Sequence, residues 1–182
     1  MNQKLETKVT RKEIKAALFS MSPDKALGPD GFTTNFIQTY WQIVKKDLHK
    51  MVLKSQDCKK VGGNTNSAFL ALILKEKGAN SFNRFRPISL CNIGYKIISK
   101  VISNRLKGLL SDLIPENQGG FVQGRKIVDN IILVQEALHS SLKRKEKGMI
   151  VKLDFANAFD RVKHSFMFEV LQKFGFWRGF IW

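Results

Sequence analysis

Ala68-Phe69-Leu70-Ala71-Leu72-Ile73-Leu74-Lys75 decides the fold class, according to whether it is strand or helix. A short continuous apolar run reads as a buried strand, while its leucines also leave a helical reading open at this length. Further on, Phe85-Arg86-Pro87-Ile88-Ser89-Leu90 can supply an antiparallel partner. Pro87 marks that partner as an edge strand or an interrupted one, because proline offers no N–H to a ladder. Long helical patterns surround the pair on both sides. The expected class is therefore α+β, mainly helical with a small antiparallel sheet.

Working outward towards the N-terminus, Gly62-Gly63-Asn64-Thr65-Asn66 is the most linker-like stretch. Before it, Phe36, Ile37, Tyr40, Ile43, Val44, Leu48, Met51 and Val52 predict one longer helix with a single apolar side. Ser22-Pro23 and Gly28-Pro29-Asp30-Gly31 form a loop whose prolines and glycines fix the backbone. Thr10-Arg11-Lys12-Glu13 is a capping box, and Ile14, Ala17, Leu18 and Met21 follow it at helical spacing, so a short helix runs over about 11–20.

Towards the C-terminus, Asn92 can cap a helix whose stripe is Ile93, Ile97, Ile98, Val101, Ile102, Leu106, Leu109, Leu110 and Leu113, ended by Pro115. Such a helix packs on the core and presents Lys96, Lys100 and Lys107 outward. A glycine-containing loop follows over 116–125, then a helix over about 128–142. Met149-Ile150-Val151-Lys152-Leu153-Asp154 reads as a strand that delivers a carboxylate at its end. Ser165 can cap a last helix, with Phe166, Val170, Leu171 and Phe174 inward and Gly175 at its stop. Phe176, Trp177, Phe180 and Trp182 then crowd the end of the sequence, where large aromatics need burial.

The 182 residues hold 31 Lys+Arg against 15 Asp+Glu, a formal charge of +16, with 43% apolar residues. That is enough apolar material for a core, and it argues against disorder of the whole chain. No early apolar run resembles a secretory signal, and the longest run is far too short to cross a bilayer, so no membrane partner is expected. Cys58 and Cys91 form neither a CxxC pair nor a disulfide framework, which suggests structural thiols in reducing surroundings. The charge is clustered. Eight basic residues and one acid, Glu76, fall between positions 75 and 107, and Lys143, Arg144, Lys145 and Lys147 form a second group. Six lysines between positions 45 and 60 make a third. A lone cluster of this kind is usually a solvated helix face; three in one small chain suit a polyanion such as nucleic acid.

Asp154 and Asp160, six residues apart, are the acids placed for chemistry. A carboxylate leaving a strand beside small residues suits a hard cation such as Mg2+. Two-metal transfer needs a second carboxylate nearby, and Asp160 falls past the turn, entering a helix. Taken alone, the spacing favours a plainer pair: a strand-end acid and a helix-start acid.

Val151-Lys152-Leu153-Asp154-Phe155-Ala156-Asn157-Ala158-Phe159-Asp160 nevertheless resembles the first catalytic-aspartate motif of reverse transcriptases from LINE-type non-LTR retrotransposons, especially those of plants. Three further blocks resemble the same family, in the same order. Ser22-Pro23-Asp24-Lys25-Ala26-Leu27-Gly28-Pro29-Asp30-Gly31-Phe32 is similar to its N-terminal extension. Phe85-Arg86-Pro87-Ile88-Ser89-Leu90-Cys91-Asn92 is similar to its first fingers block and Gln118-Gly119-Gly120-Phe121-Val122-Gln123-Gly124-Arg125 to its second. The resemblance implies the fingers and partial palm of a right-hand polymerase: an N-terminal extension over 1–66, fingers over 67–148 and the start of a palm over 149–182.

It also implies roles. Asp154 matches the catalytic aspartate that binds both metals, and Phe155 would offer a backbone carbonyl to one Mg2+. Phe159 matches the steric gate against a ribonucleotide 2′-hydroxyl. Lys75 and Arg86 match basic fingers residues that hold the triphosphate of an incoming deoxynucleotide. Gln118, Phe121 and Arg125 lie in the block lining the template path; by themselves Phe121 and Phe159 would read as core and Arg125 as a surface ion pair. RNA template, DNA primer and deoxynucleoside triphosphates are the implied partners, and the nucleus the implied location.

Leu74, Gln123 and Asn157 depart from the family's usual residues, and no adjacent Asp-Asp pair occurs among the 182 residues, so the expectation is a truncated, inactive polymerase fragment. Two other readings remain: a non-catalytic basic RNA-binding module, and a Mg2+-dependent phosphotransferase built on Asp154 and Asp160.

Overall fold

The computed structural model describes residues 5–78, 80–116, 118–120, 122, 124–145, 147–151, 161–177 and 179–180. Six α-helices and one two-stranded antiparallel sheet are defined among them. The chain divides into two compact units, one centred on residues 3–105 and one on residues 106–181.

In the first unit, α1 (Arg11–Phe19) begins at the expected capping box. Thr10 Oγ1 accepts from the Glu13 N–H at 3.2 Å, and Glu13 Oε2 accepts from the Thr10 N–H at 2.8 Å. The apolar run expected as one helix is broken at Tyr40 into α2 (Thr34–Thr39) and α3 (Trp41–Cys58). The Tyr40 N–H closes α2 on the Phe36 carbonyl, while the Tyr40 carbonyl accepts from Ile43 and Val44 and opens α3. The break leaves Phe32, Phe36 and Tyr40 as an exposed ladder of rings with centroids 5.3 and 4.8 Å apart, and puts Trp41 in the core.

That core joins Ile14, Ala17 and Leu18 of α1, Ile37 of α2, Trp41 and Val52 of α3, and Ile93, Ile97, Ile98 and Val101 of α4 (Ile93–Leu113). Phe19 meets Trp41 edge-on at 6.4 Å. Side chains close the exposed polar ends. Gln38 Nε2 donates to the carbonyls of Leu18 and Met21 at the end of α1, and Gln56 holds the backbone of Thr7 and Val9. Apolar positions spaced by three and four explain why these helices bury one face each.

The sheet pairs β1 (Ala68–Leu74) with β2 (Phe85–Cys91), from Ala68 opposite Cys91 to Leu74 opposite Phe85. Strand is therefore the correct reading of the deciding stretch. Its expected burial is not: Phe69, Leu70, Leu72, Ile73 and Leu74 are all exposed, with Leu70 at 66%. Successive side chains alternate across a strand, so apolar residues stand exposed on both faces of the hairpin. Pro87 sits opposite Leu72, tolerated because in a two-stranded sheet each strand is an edge.

The 62–66 stretch is not a free linker. Gly62's carbonyl accepts from Thr65 and Asn66 at 2.9 Å each, forming a tight turn before β1.

In the second unit, α5 (Ile127–Arg144) starts with Asp129 Oδ2 accepting from the Lys126 N–H at 3.1 Å. Lys143 and Arg144 stand in its last turn, where positive charge complements the helix dipole. The last helix, α6 (His164–Lys173), begins after Lys163, with no side-chain cap, so Ser165 does not cap it. Phe166 and Phe174, expected inward, are exposed, while Val170 and Leu171 are half-buried. Gly175 takes the left-handed stop at φ +81°. Phe176 is buried and stacks on Phe180 at 5.9 Å, whereas Trp177 is exposed. Residues 149–151 form no strand, and residues 152–160 lie outside the described residues.

Candidate functional site

Two clusters of the expected site residues fall within the described residues, one in each unit. In the first unit, the register sets Arg86 opposite Ile73. Lys75 is two positions beyond Ile73, so strand alternation puts Lys75 on the same side as Arg86. The ladder extends one pair past the strands, with the Lys75 N–H donating to the Arg84 carbonyl at 2.9 Å. Lys75, Arg84 and Arg86 thus share one face at the turn end of the hairpin. Arg84 pairs with Glu76 at 3.2 Å, and Lys75 Nζ donates to the Asn83 carbonyl at 2.8 Å. Both contacts are exposed, so they compete weakly with a stronger anion.

The root of the hairpin is built differently. Asn92 is 4% exposed and follows β2 directly. It occupies the position before α4, and its carbonyl accepts from the Lys96 N–H at 3.1 Å. Its side chain does not cap that helix. Asn92 Nδ2 donates instead to the Asn64 carbonyl at 2.7 Å, and Oδ1 accepts from the Asp30 N–H at 2.9 Å. Asp30, 63 residues away in sequence, supplies the cap: its Oδ2 accepts from the Ile93 N–H at 2.8 Å. A carboxylate there meets both a free donor and the positive end of the helix dipole.

The basic cluster between positions 75 and 107 is partly consumed by structure. Lys96, expected outward, donates to the Ala26 carbonyl at 2.6 Å. Arg105 forms a two-pronged pair with Glu13, at 2.8 and 3.1 Å, and its Nη1 donates to the carbonyls of Leu5 and Thr7. Burial alone would raise the Glu13 pKa, but the hydrogen bonds from Arg105 and Thr10 and the Arg105 charge outweigh it, so the pKa is lowered. Arg86, Lys77 and Lys107 are exposed.

In the second unit, Arg125 is turned inward on its own loop. Its guanidinium donates to the carbonyls of Ser111, Ile114, Pro115 and Gln118. It therefore closes the end of α4, where carbonyls lack helical partners, and holds Gln118. The Gln118 side chain is exposed. Neither the carbonyl clamp made by Arg125 nor the distant cap of Asp30 has a local sequence signal; the common face of the exposed Lys75 and Arg86 follows from strand register.

Phe121, Asp154, Phe155, Phe159 and Asp160 lie outside the described residues. Among the described residues, no group of three His, Cys, Asp or Glu side chains is gathered to hold a metal ion, and no helix is long and apolar enough to cross a membrane.

Residues 73–182 match the family model described as reverse transcriptase (RNA-dependent DNA polymerase). Over 179 residues the chain is 33% identical to the transposon TX1 uncharacterized 149 kDa protein of Xenopus laevis, covering 98% of this chain and 14% of that protein. Over 173 residues it is 24% identical to the retrovirus-related Pol polyprotein from type-2 retrotransposable element R2DM of Drosophila melanogaster, covering 95% of this chain and 16% of that one. A probable RNA-directed DNA polymerase from transposon BS of the same fly is 29% identical over 109 residues, or 59% of this chain and 12% of its own length. The matched segment starts at the end of β1 and takes in β2, both clusters and the Asp154 motif, so the chain belongs to the reverse transcriptases, as part of such a domain of the non-LTR retrotransposon type.

Proposed function

We propose that these residues supply the N-terminal extension, the fingers and the start of the palm of a right-hand RNA-directed DNA polymerase. The extension would cover 1–66, the fingers 67–148 and the palm 149–182. The observation that carries the reading is the shared face of Lys75 and Arg86 on an exposed hairpin, inside the segment that matches the family. Two cations on one face suit phosphate groups: the triphosphate of a deoxynucleotide, whose charge grows on its leaving oxygens during transfer, and, with no nucleotide present, the backbone of an RNA strand. Gln118, Phe121 and Arg125 belong to the template path, with Arg125 acting through the loop it clamps. Asp154 and the Phe155 carbonyl would hold Mg2+, which in this chemistry polarises the phosphoryl group and the attacking 3′-hydroxyl. Phe159 would exclude a 2′-hydroxyl.

RNA binding tests the reading. A purified 182-residue chain is expected to bind a single-stranded RNA oligonucleotide with affinity that falls steeply as salt rises, since phosphate contacts release counterions. Arg86→Ala and Lys107→Ala should each weaken binding and reduce the salt slope by roughly one if each meets a phosphate. Binding indifferent to salt would overturn the proposal.

Catalysis gives the opposite expectation. With no adjacent Asp-Asp pair in its sequence, this chain by itself is expected to incorporate no deoxynucleotide above background on a primed RNA template. Incorporation that Asp154→Asn abolishes would show that the chain holds a complete metal site after all. RNA binding is expected to survive Asp154→Asn undiminished, since the substitution removes a negative charge and no contact to phosphate.

A further inference from the structure

The β1–β2 hairpin exposes apolar residues on both faces, so among the described residues its direction is governed at its root rather than by a packed face. Everything at that root converges on the loop that carries Gly28 and Asp30. Asn92 N–H donates to the Ser67 carbonyl at 3.3 Å, tying the two strands where they enter and leave. Its side chain reaches the Asn64 carbonyl in the preceding turn and accepts from the Asp30 N–H. Asp30 in turn caps α4 through the Ile93 N–H, while its other oxygen accepts from the Phe32 N–H at 3.3 Å. Gly28 lies flat against the same junction: a Cβ there would stand 2.5 Å from Asn92 N and from the Cys91 carbonyl. Those are backbone atoms and cannot swing aside. Lys96 adds a fourth tie, to the Ala26 carbonyl.

We infer that Asp30 and Asn92, with Gly28 as the close-packing residue, are positioning residues that lock the extension loop to the root of the fingers hairpin and so aim Arg86 and Lys75. The inference rests on the proposed nucleic-acid function of that hairpin. It gives the loop a task that its own lack of exposed cations at Gly28 and Asp30 would not suggest. Asp30 is an acid in a protein of charge +16. Its loss should, by charge alone, strengthen binding to a polyanion. A positioning role demands the reverse.

Asp30→Ala, Asp30→Asn, Asn92→Ala and Gly28→Ala chains should be compared by amide hydrogen exchange and by RNA-oligonucleotide affinity at fixed salt. Asp30→Ala is expected to raise exchange at least tenfold at Ile93 and along 85–91, and to weaken RNA binding threefold or more. Asp30→Asn keeps an oxygen for the Ile93 N–H and should restore most of both. Gly28→Ala should match Asp30→Ala. The core amides of α1 report whether a variant is folded, and variants that lose them are replaced by Asn92→Ser.

Unchanged exchange at the hairpin root in a folded Asp30→Ala chain would overturn the latch. So would tighter RNA binding by that chain, because charge alone predicts it. If the parent chain binds no RNA, the functional reading fails, and hydrogen exchange still decides the latch.

Discussion

Ile97→Ala is expected to lower the unfolding free energy by about 3–4 kcal/mol, within the range for removing a large aliphatic side chain from a packed site. Ile97 has no exposed surface, and it stands on α4 where α1 and α3 contribute to one cluster. Truncation removes three carbons from contact with residues on several elements, and helices fixed by Arg105 and Asp30 cannot collapse freely to fill the void. In a chain of this size, each kcal/mol moves the melting midpoint by roughly 2–4 °C. A thermal melt followed by circular dichroism should therefore drop by about 6–16 °C. Ile97→Val, which removes a single methylene, should cost about 1 kcal/mol. Equal effects of the two substitutions would show that the site tolerates a cavity and that the core is looser than its burial indicates.

Arg105→Ala is expected to cost about 2–3 kcal/mol, below the value for a fully buried broken pair because the Glu13 side chain is about one-third exposed. The arginine satisfies two carboxylate oxygens and two backbone carbonyls at once. Its removal leaves Glu13 without its counter-charge and takes one hydrogen bond each from the carbonyls of Leu5 and Thr7. Glu13→Gln should cost less, because an amide can still accept from Thr10 and Arg105. The pair also predicts a pH dependence. Glu13's folded pKa lies below its unfolded value, so its contribution is complete above the ordinary glutamate value, about 4.3, and is lost as pH falls through the lowered folded pKa. Parent and Arg105→Ala stabilities, measured by urea unfolding from pH 7 down to pH 3, should therefore draw closer at the acid end, leaving the part carried by the Leu5 and Thr7 carbonyls. A constant gap between them would mean that Arg105 acts through the backbone carbonyls alone.

Sequence and structure agree at the capping box and at the sheet, and part at other local signals such as Ser165 and the helix broken at Tyr40. The Thr10–Glu13 capping box spans four residues, and the helix starts where it says. Strand pairing of β1 with β2 was legible from two short apolar runs, whereas the common face of Lys75 and Arg86 needed the register. Burial was not legible, because Leu70 and Leu72 have the composition of core residues and only packing partners can confer burial. Asn92 illustrates a subtler limit. Its type is right for a cap and its position is right, yet its amide is taken by Asn64 and Asp30, and the cap comes from 63 residues away. Arg125 and Lys96 look like free surface charge in one dimension and are spent on carbonyls in three. Four ordered blocks identified the family, because together they are specific where each alone is short.

The core has a consequence for the order in which the protein is made. Every residue of the cluster around Ile97 lies between Val9 and Val101, and the Arg105 clamp closes it from just beyond. Synthesis runs from the N-terminus at about 5–20 residues per second. The helical body can therefore set while the Asp154 motif is still unmade, and it does so around a hairpin root already tied by Asn92. The fold of the first unit is then decided before the residues of the second are complete.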